Sequence, residues 1–135
     1  MFIPCDVYIK NLLIYYNNTP LTICGTISNF AFYSNDGTIT LQNFAYINSF
    51  ILNTNSGSII VENESNINNL QINQNSGNIT VKNNAIVNML QVENNKGTIS
   101  IQDNAIVENL ICSQNSGTVN ISSTAIVVNN QCGQL

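Results

Sequence analysis

Residues 55–74 read NSGSIIVENESNINNLQINQ, and residues 75–94 read NSGNITVKNNAIVNMLQVEN. The second stretch repeats the first in its opening Asn and Gly and in the places of its apolar residues. The same unit continues on both sides, so a glycine recurs every twenty residues from Gly37 to Gly117. A fixed period of this length indicates a repeat architecture, in which stacked units bury a core that no single unit could form.

Six columns of small or apolar residues emerge when the chain is aligned at this period. In one unit they are Ile59, Val61, Ser65, Ile67, Leu70 and Ile72. The columns form three pairs, each spaced two residues apart, which is the period of a strand with one buried face. Most of the residues are β-branched, which favours strands over helices. The pattern therefore predicts three short strands in each coil and excludes a helical repeat.

Stacking each strand in parallel on its copy would point all six columns into one core. This arrangement resembles the parallel β-solenoids, or triangular β-helices, over about residues 7–135. We therefore expect an all-β, single-stranded parallel β-helix of six to seven coils, right-handed because crossovers generally are. A single domain, 1–135, is predicted. Residues 1–34 would form irregular N-terminal coils with a partial cap, and residues 35–135 the regular repeats.

The start of each unit predicts a corner with a ladder of side-chain amides. Its members are Asn35, Asn55, Asn75, Asn95 and Asn115, followed by Gly37, Gly57, Gly77, Gly97 and Gly117. Stacked asparagines can bond to their copies above and below. Each glycine would have either a positive φ or a close-packed turn that a Cβ would obstruct. A second ladder is expected at Asn43, Asn63, Asn83 and Asp103, and turn chemistry explains both sets better than ligand binding does.

The four cysteines fall into two pairs on adjacent rungs. Cys112 and Cys132 are one period apart in an inward column, and Cys5 and Cys24 both precede a second strand. Parallel strands lie about 4.8 Å apart, which is within disulfide range. Disulfides at both ends are one interpretation, and thiols in the core are the alternative for Cys112 and Cys132. With no histidine and no close cysteine cluster, no metal site is predicted.

The composition limits the function. Only 7% of residues are charged and Lys plus Arg number 3, so no basic surface for nucleic acid is predicted. No apolar run approaches the ~18 residues that would indicate a membrane span, and the N-terminus does not look like a signal peptide. Absence of histidine removes the usual general base. Glu62 shares its column with Lys82, which predicts a surface ion pair instead of a catalytic carboxylate pair. Neither an enzyme nor a cofactor is predicted.

One outward column is unusually apolar. It contains Tyr46, Ile86, Ile106 and Ile126, interrupted by Asn66, with Val128 nearby. Exposed apolar stripes of this kind mark interfaces. The chain after Cys132 offers no capping segment, so its last coil is expected to expose strand edges that favour association. The predicted partners are thus further copies of the chain, in a homo-oligomer or a polymer.

The function predicted from these features is a non-catalytic, self-associating rod that forms part of a virion, a fibre or a surface filament. A location in a virion or at a cell surface is favoured. A cytoplasmic filament stays open, because bactofilins are similar short, uncapped β-helices that polymerise through their ends. The alternative is an adhesin-like or ice-binding module that presents a flat Thr/Asn face to glycan or ice. Only Thr38-Ile39-Thr40 matches the Thr-Xaa-Thr pattern of ice-binding solenoids fully.

Overall fold

The computed structural model describes residues 1–132, which form two parallel sheets of seven strands each. In chain order the strands are β1 (Phe2–Ile3), β2 (Tyr8–Asn17), β3 (Leu21–Ile23), β4 (Thr26–Asn35), β5 (Thr38–Leu41), β6 (Tyr46–Asn55), β7 (Ser58–Val61), β8 (Asn66–Asn75), β9 (Asn78–Val81), β10 (Ile86–Asn95), β11 (Thr98–Ile101), β12 (Ile106–Cys112), β13 (Thr118–Ile121) and β14 (Ile126–Gln131). Odd-numbered strands build the first sheet and even-numbered strands the second, each in order along the chain.

Each residue of a regular strand lies beside its copy on the next rung. Ile59 pairs with Ile79 in the first sheet, and Leu70 pairs with Leu90 in the second. This twenty-residue register confirms the prediction of an all-β parallel solenoid, with about six turns and no helix among the described residues. Therefore no helix within residues 1–132 could cross a membrane.

The expectation of three short strands in each coil is wrong. The predicted second and third strands are one continuous strand of ten residues, such as β6. Two consecutive side chains, Asn48 and Ser49, point away from the core, and Ile47 and Phe50 on either side of them are buried. The strand bends there without losing its ladder, because Ile47 and Ser49 both pair with their copies on the next rung. The spacing of three residues between Ile47 and Phe50 in the sequence corresponds to this bend.

The six columns form one continuous core between the two sheets. In the central coils, their apolar side chains are fully buried, including Ile59, Ile79 and Leu70. The rings of Phe30 and Phe50 stack within it with centroids 4.7 Å apart. Ser65 is the buried polar member of the columns, and its hydroxyl donates to the Glu62 carbonyl oxygen at 2.7 Å, whereas Asn130 in the last coil is exposed. The Ser65 hydroxyl therefore has a hydrogen-bond partner, although the other regular coils have alanine at this position.

The N-terminal residues extend the solenoid instead of folding over its end as the predicted partial cap. β1 pairs in parallel with β3, and the Cys24 N–H donates to the Ile3 carbonyl oxygen at 2.9 Å. The inward residues of β2 (Ile9, Leu12 and Ile14) are only half-buried. Pairing satisfies backbone groups along β3 that a crossing segment would leave open. β1 is consequently the outermost strand of the first sheet at this end.

A left-handed turn joins the first sheet to the second in four of the five regular coils. In the first of these turns, Asn43 and Phe44 have φ values of 55° and 67°, and the Ala45 N–H donates to the Gln42 carbonyl oxygen. Two consecutive positive φ values with this bond define a type I′ turn, for which Asn and Asp are favoured residues. This conformation is the main role of the predicted second ladder, in which only Asn83 to Asn63 bond directly, at 3.3 Å.

Candidate functional site

The predicted asparagine ladder runs through the solenoid as an unbroken chain of amide hydrogen bonds. It begins at Asn17, one rung earlier than the sequence analysis predicts. Asn17 Nδ2 donates to Asn35 Oδ1 at 2.9 Å. The bonds between later rungs are 2.8 to 2.9 Å long and all point toward the C-terminus. Asn115 closes the chain by donating to the Cys132 carbonyl oxygen at 2.9 Å. A row of buried amides therefore aligns all the coils.

The glycines of the regular repeats, from Gly37 to Gly117, pack closely against the preceding rung. None has a positive φ, and a Cβ at Gly77 would overlap the carbonyl oxygen of Gly57 on the preceding rung. Asn75 Nδ2 also donates to the Gly77 carbonyl oxygen at 3.2 Å, so the asparagine fixes the turn as well as the stack. Of the two expectations for these glycines, the close-packed turn is the one observed.

The structure joins the cysteines in two disulfides, Cys5–Cys24 and Cys112–Cys132. Their Cα atoms are 4.3 and 4.4 Å apart, as expected for adjacent rungs. Each bond ties the outermost rung at one end of the described chain to its neighbour. Within residues 1–132, no group of three or more His, Cys, Asp or Glu side chains could hold a metal ion.

The predicted interface residues lie on the outward side of the second sheet, with Tyr46, Ile86, Ile106 and Ile126 in one row and Val128 in the adjacent row. Ile86, Ile106 and Ile126 are direct neighbours across rungs. Ile86 and Ile106 are half-buried by their neighbours, and Ile126 and Val128 are 55% and 56% exposed. We call Ile86, Ile106, Ile126 and Val128 the isoleucine stripe. Tyr46 is in the same row but is separated from the stripe by Asn66.

The last described rung leaves part of the core open. Ile121 is 37% exposed, whereas Ile101, its counterpart one rung earlier, is fully buried. A concavity of about 530 Å³ lies here, and Val119 and Ile121 contribute to its wall. The expectation of an uncapped end depends also on Gly133, Gln134 and Leu135, which lie outside the described residues.

Two of the acidic side chains, Glu62 and Asp36, have defined partners. Lys82 Nζ lies 3.6 Å from Glu62 Oε1, which is the predicted surface ion pair. Asp36 accepts hydrogen bonds from Ser56 Oγ and, at 2.9 Å, from Tyr16 Oη. These bonds lower the pKa of the Asp36 carboxyl, the Ser56 bond most, and the same contact with Asp36 raises the pKa of Tyr16. A carboxylate held in its ionised form suits a corner contact and cannot serve as a proton donor near neutral pH.

The predicted Thr/Asn face is regular in its backbone and irregular in its side chains. Thr38, Ser58, Asn78, Thr98 and Thr118 stand in one registered row of the first sheet. The neighbouring outward row mixes hydroxyl, apolar and amide groups, with Ile60 beside Thr40 and Asn120 beside Ser100. The face consequently lacks a uniform lattice of hydroxyl and methyl groups.

The twenty-residue pattern did not predict one surface feature, a stack of two tyrosine rings. Tyr15 and Tyr33 are eighteen residues apart, and their rings stack with centroids 5.2 Å apart and planes 7° from parallel. Both side chains are more than half exposed. The stack lies in the irregular coils, where β2 pairs with β4 at an offset of eighteen. Aligning the N-terminal coils at that shorter offset would have placed the two tyrosines side by side.

The fold and its ladder define the class of this protein: it is a parallel β-solenoid built as a repeat scaffold. The family model described as Toastrack DUF4097 matches residues 4–130, and the chain belongs to that family. Comparison with curated proteins and with solved structures gave no match.

Proposed function

We propose that this protein is a non-catalytic structural element, a short solenoid rod that self-associates side by side through the isoleucine stripe. The observation that supports this most is the stripe itself. Ile126 and Val128 expose more than half of their surface, and Ile106 and Ile86 extend this apolar row over the two preceding rungs. An apolar row of this kind is expected to be covered in the working assembly.

A second copy of the chain is the occupant that the stripe suits. The row repeats the same side chain on three consecutive rungs, so it is complementary to itself under a twofold axis through Ile106. In that arrangement, Ile106 would meet its own copy and Ile86 would meet Ile126. Isologous contacts of this type are the commonest in homo-oligomers. Glu108, which lies between Asn88 and Val128 in the adjacent outward row, is the one charge in these rungs of the two rows.

End-to-end contacts are the second part of the proposal. β13 and β14 are edge strands, and the exposure of Ile121 adds apolar surface beside their unpaired backbone groups. Among residues 1–132 these are the last strands of their sheets, and edges of this kind pair readily with another chain. Lateral pairing combined with end stacking would produce a fibre or a surface lattice, which is the role that we propose for the rod in a virion or at a cell surface.

Ile106→Lys tests the lateral contact. Sedimentation of the wild-type protein should show a species of twice the monomer mass or more, and the variant should sediment as a monomer with an unchanged circular dichroism spectrum. Thr98→Lys is the matched control, because it adds the same charge to the same coil but on the other sheet. A wild-type protein that stays monomeric at high concentration would refute the proposal. Negative-stain microscopy of the wild type should show rods longer than one chain if the ends also stack.

A further inference from the structure

The Tyr15–Tyr33 stack ends in a step on the second sheet. The position after Tyr33 in this column holds Asn53, which is followed by Asn73, so the two large rings give way to two small amides. Because the rings are parallel and come from adjacent rungs, their normals run along the solenoid axis. One face of Tyr33 covers Tyr15, and its other face looks over Asn53. Its hydroxyl and this second face have no hydrogen-bond or aromatic partner among residues 1–132.

A shallow concavity of about 300 Å³ lies at this step. Its walls are Leu13, Ala31, Phe32, Tyr33, Ile51, Asn53 and Asn73. Leu13 and Ile51 are 52% and 42% exposed and provide an apolar floor beside the ring. Small sites that bind neutral ligands combine apolar walls with a few polar groups in the same way.

The polar groups at the step are ordered and directed. Gln71 Nε2 donates to Asn73 Oδ1 at 3.4 Å, and Asn73 Nδ2 donates to Asn53 Oδ1 at 2.9 Å. This chain of amides leaves Asn53 Nδ2 as its terminal donor, with no acceptor in the described part of the chain. Its oxygen is engaged by Asn73, so the free side of Asn53 offers N–H groups to a ligand.

We propose that this step, which we call the Tyr33 ledge, binds one pyranose ring of a neutral oligosaccharide. The apolar face of the sugar would lie on the free face of Tyr33, and its hydroxyls would accept from Asn53 Nδ2 and bond to the Tyr33 hydroxyl. A neutral ligand fits because none of the walls carries a charged side chain. A pyranose fits better than a purely apolar ring, because an apolar ring would bury the donors of Asn53 without a partner. This proposal is independent of the isoleucine stripe, which lies on the other side of the bend.

The test measures binding of cellohexaose by titration calorimetry and by saturation-transfer NMR. We expect wild-type protein to bind, and Tyr33→Ala and Asn53→Ala each to weaken binding by about tenfold or more. Tyr33→Phe should keep most of the affinity, because it retains the stacking face. Phe44→Ala is the control, since it removes an exposed aromatic ring at a site away from the ledge. Circular dichroism verifies that each variant is folded.

Three results would overturn the proposal. The first is that wild-type protein binds neither cellohexaose nor any neutral glycan on an array. The second is that Tyr33→Ala binds as wild type does. The third is that Tyr33→Ala lowers the mass of the assembly without changing sugar binding. In that case the ledge would hold a side chain of a second copy of the chain. Ile106→Lys should leave sugar binding intact, which separates this proposal from the structural one.

Discussion

Asn55 Nδ2 donates to Asn75 Oδ1 across 2.8 Å, and both side chains are buried between two rungs of the solenoid. The bond is one step of the ladder that connects Asn17 to the Cys132 carbonyl oxygen. Because the amide of each ladder residue from Asn35 to Asn95 also donates to the glycine two residues later, the ladder joins stacking between coils to the conformation within each coil.

Replacing Asn75 with alanine should lower the free energy of unfolding by about 2–4 kcal/mol, since it removes buried hydrogen bonds to Asn55, to Asn95 and to the Gly77 carbonyl oxygen. The control is Asn88→Ala, which removes an exposed amide bond to Asn68 and should change stability by less than about 0.5 kcal/mol. Urea unfolding of the two variants measures the difference. Equal effects would show that the buried ladder adds no more than a surface amide pair.

Gly77→Ala should destabilise the protein by about 3 kcal/mol or more, because the new Cβ overlaps the Gly57 carbonyl oxygen and the backbone must move. Asn78→Ala, at the adjacent exposed position, should have little effect. Thermal unfolding followed by circular dichroism provides the comparison. If Gly77→Ala is as stable as Asn78→Ala, the close packing of the turn is not as described here.

Replacing both Cys112 and Cys132 with serine should cost about 3 kcal/mol in the chain-entropy account of disulfides, given their separation of 20 residues. Hydrogen exchange should become faster mainly in β12, β13 and β14. The equivalent change at Cys5 and Cys24 should act on β1 to β3 instead. Intact-mass measurement of the unreduced protein should show two hydrogens fewer for each bond, and alkylation of unreduced, denatured protein would contradict the pairing.

The contribution of Asp36 to the stability of the protein should depend on pH. Hydrogen bonds from Ser56 and Tyr16 lower the pKa of Asp36 in the folded protein below its ordinary value of 3.8. The stabilisation that the ionised Asp36 carboxylate provides is present above pH 3.8 and is lost as the pH falls through the pKa of Asp36 in the folded protein. The difference in Tm between wild type and Asp36→Asn should therefore shrink as the pH drops below 3.8. In a carboxyl NMR titration, Ser56→Ala should move the pKa of Asp36 back toward 3.8, and an unchanged pKa would contradict the assignment.

Phe44→Asn should stabilise the protein by about 0.5–1 kcal/mol, because Phe44 has a φ of 67° that asparagine adopts at lower cost. The ring is 72% exposed, so little packing is lost. Asn84 occupies the same place in a later coil with a φ of 64°, and Asn84→Phe should destabilise the protein by a similar amount. Urea midpoints of both variants measure the effect, and changes of the same sign would argue against a conformational origin.

The regular repeats made much of this structure predictable. Columns such as Ile59 and Ile79 face inward because alternation along a strand is a local property. The proximity of Cys112 and Cys132 follows from the same register. The tyrosine stack of the Tyr33 ledge was not predictable from the twenty-residue repeat, because β2 pairs with β4 at an offset of eighteen.

The sequence by itself determined the period, the register of the rungs and the sides on which the side chains lie, since these depend only on spacing along one chain. The tertiary structure decided three further features: the fusion of two predicted strands into one, the left-handed corner at Asn43 and Phe44, and the direction of the hydrogen bonds in the ladder. Each of these depends on backbone torsions that are fixed only when one coil packs against the next. Residue spacing does not encode those torsions, because the same alternation of apolar side chains is compatible with a bend or a break in the strand.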